Sequence, residues 1–192
     1  ATKRVIELVV KHHARFHALH ISTAVETTLF QKVKSLREKR ITGEVCVHHL
    51  WFHNNHYDTL GSKIKWNQAI KSELDKVRLM EALLEDRLDI IATDHAPHLL
   101  SEKNGNYIIS KSGAPLVQHA LPLLLELYHQ NKISLEKIVE KTSHNVAEIY
   151  RIPSRGYIRE EYYADVVLVD MNRIWTATKE NTLYTSSGGS TV

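Results

Sequence analysis

Ser72-Glu-Leu-Asp-Lys-Val-Arg-Leu-Met-Glu-Ala-Leu-Leu-Glu-Asp-Arg-Leu-Asp-Ile-Ile-Ala-Thr-Asp-His-Ala-Pro-His98 carries a helix, a strand and a group of reactive side chains in one run. Ser72 with Asp75 three residues later has the form of a capping box, and Val77, Met80, Leu84 and Leu88 follow at helical spacing. The chain then turns apolar over residues 88–92, a strand's length, and ends in an acidic, histidine-bearing turn at 93–98. A helix running straight into a short apolar strand is half of a parallel β/α unit.

The same alternation extends upstream. Val25, Leu29, Val33 and Leu36 predict a helix that closes on Arg37, Lys39 and Arg40, cations favoured at a helix C-terminus, before a strand at 41–47. Val5, Ile6, Val9 and Val10 predict an earlier helix, and Phe16, Ala18, Leu19 and Ile21 an earlier strand. Downstream, residues 116–128, with Pro122 in the early turns, and 135–150, behind Ser134 as a cap, read as two more helices. After Pro153 and Gly156 the pattern changes, and Tyr157, Ile158 and residues 164–170 look like strands with no helix between them. The expected division is therefore an α/β part over 1–152, a small β subdomain over 153–184, and a polar, unstructured tail over 185–192. Parallel strands joined by crossover helices form either an open doubly wound sheet or part of a β/α barrel, and spacing does not choose between them.

Composition narrows the function classes. The net charge of +3 arises from 25 cationic and 22 acidic residues spread without a long basic block, which argues against a nucleic-acid or membrane-surface partner. No stretch approaches the roughly 20 apolar residues of a membrane span. Cys46, the single cysteine, lies in an apolar run, so a buried thiol in a reducing, cytoplasmic setting is expected. The chain starts at Ala1 and runs at once into a helical pattern, which suggests a piece of something longer.

In either architecture, functional side chains gather beyond the C-terminal ends of the strands. His20, the pair His48 and His49, and residues 93–98 occupy those positions. Asp94, just past a buried strand, is placed to bind a metal ion's water and shuttle its proton; the alternative is a turn cap with His95 and His98 solvated. His17 and His20 lie three apart, so only one points into the site. His20 is nearer the strand end and is the candidate ligand, leaving His17 packed or hydrogen-bonded. His48, His49, His53 and His56 have no accompanying cysteine pair and no closed tetrahedral spacing, and read as structural rather than as a separate metal site. Cys46, with no helix N-terminus or fixed cation evident beside it, is no nucleophile. Asn67, in the connection between the second and third strands, offers a donor and an acceptor suited to an amide or imide ring, with Trp66 as an apolar anchor. Ser112-Gly113-Ala114-Pro115 is a second rim segment able to present backbone groups.

These segments together resemble the dihydroorotases. Asp94-His-Ala-Pro-His98, followed by Ser101, Glu102 and Lys103, resembles their aspartate signature; His20-Ile-Ser-Thr23 resembles their metal-ligand segment, and residues 44–50 resemble the strand ending in His-His-Leu. The resemblance implies the C-terminal part of a TIM-like β/α barrel, its last three strands and their helices, with part of a small β-sandwich subdomain. It further implies His20 and Asp94 as metal residues, with one or two Zn2+ in the complete enzyme. Asp94 would be the catalytic base and acid, and Asn67, His98, Ser112 and Gly113 the substrate contacts. The implied reaction is the reversible cyclisation of N-carbamoyl-aspartate to dihydroorotate in pyrimidine synthesis, in an enzyme that could be a homo-oligomer. The His-x-His, bridging group and further histidine of such a site do not occur in the chain, so by itself it is expected to be inactive. Gln68, Ala69, Ile70 and Lys71 depart from the usual Pro-Pro-Leu-Arg, and Leu116, Gln118 and Glu161 also depart from the family pattern. A hydantoinase- or allantoinase-like cyclic amidase and a non-catalytic remnant are the alternatives.

Overall fold

The computed structural model describes residues 1–33, 35–178 and 181–182. The capping box forms as the sequence expects: the Ser72 hydroxyl accepts from the Asp75 N–H at 3.2 Å, and the Asp75 carboxylate accepts from the Ser72 N–H at 3.1 Å. Helix α5 (Glu73–Leu84) follows, with Leu79, Ala82 and Leu83 on its buried face, and leads into strand β3 (Ile90–Ala92). The second Asp75 oxygen accepts from the Ala24 N–H at 2.8 Å, so the cap of α5 also anchors the start of α2 (Ala24–Thr27).

Strands β1 (Phe16–Ala18), β2 (Ile41–Cys46) and β3 form a parallel sheet in the order β1-β2-β3. Their register pairs His17 with Thr42, and Val45 with Ile91. Helix α1 (Thr2–Lys11) packs on β1, while α5 packs on α2 and on α3 (Val47–Trp51). The short α4 (Tyr57–Leu60) and α6 (Leu100–Lys103) lie in the connections on either side of β3. Helix α7 (Val117–His129) covers α3, and α8 (Leu135–Val139) continues through a π-turn at Glu140–His144 into α9 (Asn145–Tyr150). The core includes Val45, Trp66, Leu83, Leu88, Leu124 and Leu127. Among the described residues, no helix is long and apolar enough to cross a membrane.

Two expectations are corrected. The helix expected over Val25–Leu36 stops after Thr27, because Phe30 turns inward onto β2: a Cβ at Gly43 would lie 2.8 Å from its ring. Val25 and Val33, apolar positions of the expected stripe, are left exposed. The strands expected at Tyr157, Ile158 and residues 164–170 do not form. A strand needs a neighbour's hydrogen bonds, and here the backbone bonds are local, from Tyr163 N–H to Ser154 and from Val166 N–H to Ala164. Leu168 is fully exposed. The expected tail at 185–192 lies outside the described residues.

Two buried charges pin the base of the sheet. Lys39 Nζ donates to Asp89 at 2.7 Å, with both side chains only 4% exposed. The other Asp89 oxygen accepts from the Gly43 N–H at 2.9 Å while the Asp89 N–H donates to the Gly43 carbonyl at 2.8 Å. Beside them, Asp86, at φ 64°, receives Lys32, Lys137 and Lys141. Partial burial pushes its carboxyl up, but hydrogen bonds from the three lysines prevail and hold it well below the usual carboxylate range.

Asp89→Leu strands Lys39 as an uncompensated buried charge, and should cost the full chain about 3–5 kcal/mol by urea denaturation. The Lys39→Met, Asp89→Leu pair should recover most of that loss. A single-variant loss under about 1 kcal/mol would mean that the pin does not hold the sheet.

Candidate functional site

Because the strands are parallel, their C-terminal ends open on one rim. At the end of β1 stands His20 and beyond β3 stands Asp94, both with left-handed backbone, at φ 39° and 47°. Such a conformation is costly for a side-chain-bearing residue, and persists where the surroundings over-determine it. Glu44 of β2, 7% exposed, ties the rim together. One carboxylate oxygen accepts from the His20 N–H at 3.3 Å and the other from His17 Nε2–H at 3.0 Å, while His17 Nδ1 meets the Thr42 hydroxyl at 2.8 Å. His17 is thus hydrogen-bonded within the sheet, and the backbone of His20 is held by a carboxylate. Burial pushes the Asp94 carboxyl above its ordinary range; His20 opposes this and the Glu44 charge adds to it. His20, Glu44 and Asp94 therefore share one electrostatic neighbourhood.

A second group forms where residues 94–98 meet 112–114. His95 bridges to Ala114, and the Ala96 N–H donates to the Ala114 carbonyl at 3.1 Å. His98 Nε2–H donates to the Ser112 carbonyl at 3.0 Å. Gly113, at φ 116°, has no room for a side chain: a Cβ there would lie 2.5 Å from that of Ala96 and 2.8 Å from its carbonyl oxygen. His98, Ser112 and Gly113 are thus brought together. Asn67 is exposed on the adjoining segment, where the Lys65 carbonyl accepts the Gly113 N–H at 2.9 Å.

Three residues outside the expected set organise this rim: Glu44, Lys65 and Lys103. The Lys103 ammonium, on a side chain 3% exposed overall, donates to the carbonyls of Lys65, Lys111 and Gly113 at 3.0, 3.1 and 2.7 Å and sits 5.7 Å over the Trp66 ring. Burial, with the Lys65 charge second, brings it down to about 8. Lys65 Nζ in turn donates to the carbonyls of Tyr107 and Ser110, each at 2.7 Å. The excursion over 99–113 is thereby tied to the segment bearing Asn67. The one available signal was a charged residue inside an otherwise apolar run, as at Glu44 before Val45 and Cys46.

His48 and His49 are buried beneath the rim; His48 stacks on Trp66 at 4.4 Å, and His49 Nε2–H donates to the Gln68 carbonyl at 3.1 Å. Burial brings His49 down to about 4, so it is neutral at neutral pH. Cys46, expected to lie away from any helix start, is the N-cap of α3, yet burial pushes its thiol far up and withholds the thiolate a nucleophile needs.

Residues 10–192 match the family described as Amidohydrolase family. The chain is 33% identical over 187 residues to the dihydroorotase of Methanosphaera stadtmanae, covering 97% of this chain and 42% of that protein. To the dihydroorotase of Pyrococcus furiosus it is 35% identical over 188 residues, covering 98% and 42%. Among solved structures, the D-hydantoinase (dihydropyrimidinase) from Thermus sp. superposes with a TM-score of 0.82 at 17% identity, over 98% of this chain and 43% of that one. The chain thus spans about two fifths of the length of the curated relatives it matches.

Gly113→Ala must give up either its left-handed backbone or the contact with Ala96, and is expected to cost about 1–3 kcal/mol in thermal or urea unfolding; an unchanged midpoint would contradict the crowding. Acid should also weaken the fold. With His49 near 4 when folded and 6.5 when free, the unfolded chain binds more protons between those values, so stability rises with pH there. It is fully present above about 6.5 and lost by about 3 kcal/mol on acidification through 4. His49→Gln, measured with chelator present, should flatten that slope.

Proposed function

The chain belongs to the amidohydrolase family, and we propose that it is the C-terminal part of a zinc-dependent dihydroorotase. The observation that carries this is the convergence of His20 and Asp94, from two strand ends, on one carboxylate-braced rim. The curated relatives named dihydroorotase support that substrate over others, whereas the likeness to hydantoinase structures supports the fold alone. On this reading the parallel sheet is an arc of a β/α barrel, and residues 157–170 pair within a β-sandwich subdomain, both completed by chain outside these 192 residues. The protein works in the cytoplasm on a small molecule, alone or as a homo-oligomer.

The donor chemistry at the rim fits zinc: one imidazole and one carboxylate, of the three protein ligands such catalytic sites use. His20 and Asp94 would hold one or two zinc ions together with ligands from outside this chain, so the isolated chain is inactive. When bound, zinc supplies Lewis-acid polarisation of the ring amide and makes water a competent nucleophile at neutral pH. The chain's own residues do the rest. Asp94 takes a proton from the attacking water and passes it to the departing ring nitrogen; in the reverse direction it helps close the ring. Asn67 and His98, with the backbone of Ser112 and Gly113, orient the ring and its carboxylate. Glu44 keeps His20 in position, and Lys103 holds the backbone at Gly113 in place.

In the full-length enzyme, Asp94→Asn should lower kcat on dihydroorotate by about 10²-fold or more, and His20→Ala should lower the zinc content. Faster hydrolysis of hydantoin or allantoin than of dihydroorotate would move the assignment to those cyclic amidases. Full zinc loading without turnover of any of them would identify a non-catalytic member.

A further inference from the structure

Beneath the rim, Cys46, His48 and His49 each offer one ligand atom, and these atoms all lie within 4.8 Å of one another. All three residues are buried, at 0%, 0% and 3% exposure. His20 and Asp94 do not belong to this trio, and the spacing of the histidines alone did not suggest it, because the thiol joins them only when β2 turns directly into α3.

The hydrogen bonding of the two rings sets them apart from structural histidines. Among the described residues, both His48 nitrogens and Nδ1 of His49 are buried without a hydrogen-bond partner. A buried polar atom left unmade costs about 1–3 kcal/mol, and such atoms call for an explanation, an ion among them. His49 also has the arrangement metal-binding histidines favour: its Nε2–H donates to a backbone carbonyl, that of Gln68, which leaves the lone pair on Nδ1. The stack of His48 on Trp66, with planes 5° apart, fixes the second ring.

We propose that Cys46, His48 and His49 form a binding site for a single thiophilic metal ion of the Zn2+ class, separate from the site of His20 and Asp94. Ligand atoms about 2.0–2.3 Å from such an ion stand about 3.6 Å apart, so the trio closes by about 1 Å on binding. The Cys46 thiol gives its proton to solvent and its sulfur bonds the ion. The two neutral imidazoles contribute lone pairs without losing a proton, and no electron is transferred. Burial keeps that thiol protonated in the metal-free state. The trio lies beneath the rim, with Cys46 within electrostatic reach of Asp94 and His48 of His20. Once bound, the ion would tie the end of β2 to the first turn of α3.

The test is a Co2+ titration of the full chain, read by absorption and by proton release. One equivalent should produce a near-ultraviolet sulfur-to-cobalt charge-transfer band and release one proton. The band should vanish in Cys46→Ser and persist in Asp94→Asn, which separates this site from the one on the rim. Where Cys46→Ser fails to fold, His49→Gln retains the sulfur and should change the visible ligand-field bands. A band that survives in Cys46→Ser, visible bands unmoved by His49→Gln, or no sulfur band at saturating Co2+ would overturn the proposal. None of these readouts depends on turnover, so a failed dihydroorotase assignment would leave it standing.

Discussion

Asp89 grips β2 from below by three routes, its own N–H, its carboxylate on Gly43 and its ion pair with Lys39, and the geometry of the rim depends on that grip. Side chains alternate along a strand, so a slip of one residue between β2 and β3 would shift β3, and with it the turn bearing Asp94, relative to Glu44 of β2. The functional end of the sheet is thus set at the opposite end, by groups that take no part in chemistry. Burial works against both charges, lowering Lys39 and raising Asp89, and their mutual attraction only partly offsets it. What the pair contributes is a single register.

The rim concentrates features that a stable fold otherwise avoids. Left-handed backbone at His20 and Asp94, a buried carboxylate at Glu44 and unpaired ring nitrogens on His48 lie close together in the structure. Each costs free energy, and each places a polar group where water would otherwise solvate it or a turn would otherwise relax it. Strain and burial of this kind mark a surface shaped for binding, and they sit on rigid strand ends rather than on long loops.

How much of this could be read beforehand depended on whether local spacing carried the information. The cap and helix at Ser72, the strands at residues 41–47 and 88–92, and the placing of His20 and Asp94 beyond strand ends were all visible in short windows, because capping chemistry and hydrophobic period are local. The end of α2 was not visible, since Phe30 follows a non-local pull onto Gly43. The strands expected after Pro153 do not form among the described residues. Val166, Val167 and Leu168 have strand composition, but composition does not supply a hydrogen-bonding neighbour. Glu44, Lys65 and Lys103 escaped for a related reason: a charged side chain in sequence looks solvated until the fold encloses it. The trio of Cys46, His48 and His49 needed the turn from β2 into α3 before its parts could meet.

The two lysines that hold the 99–113 excursion touch it almost wholly through main-chain carbonyls, those of Tyr107, Ser110, Lys111 and Gly113. Every residue type has a carbonyl, so this fastening is indifferent to most of the side chains along the excursion. The exposed side chains of Ile108 and Ile109 are therefore open to evolutionary drift while the path of the backbone is retained, with Gly105 at φ 115° and the Asn106 carboxamide, which accepts from the N–H groups of Ile108 and Ile109, shaping the turn. A lineage could recast what this loop presents to a ligand one residue at a time, leaving Lys65, Lys103 and Trp66 as the fixed frame.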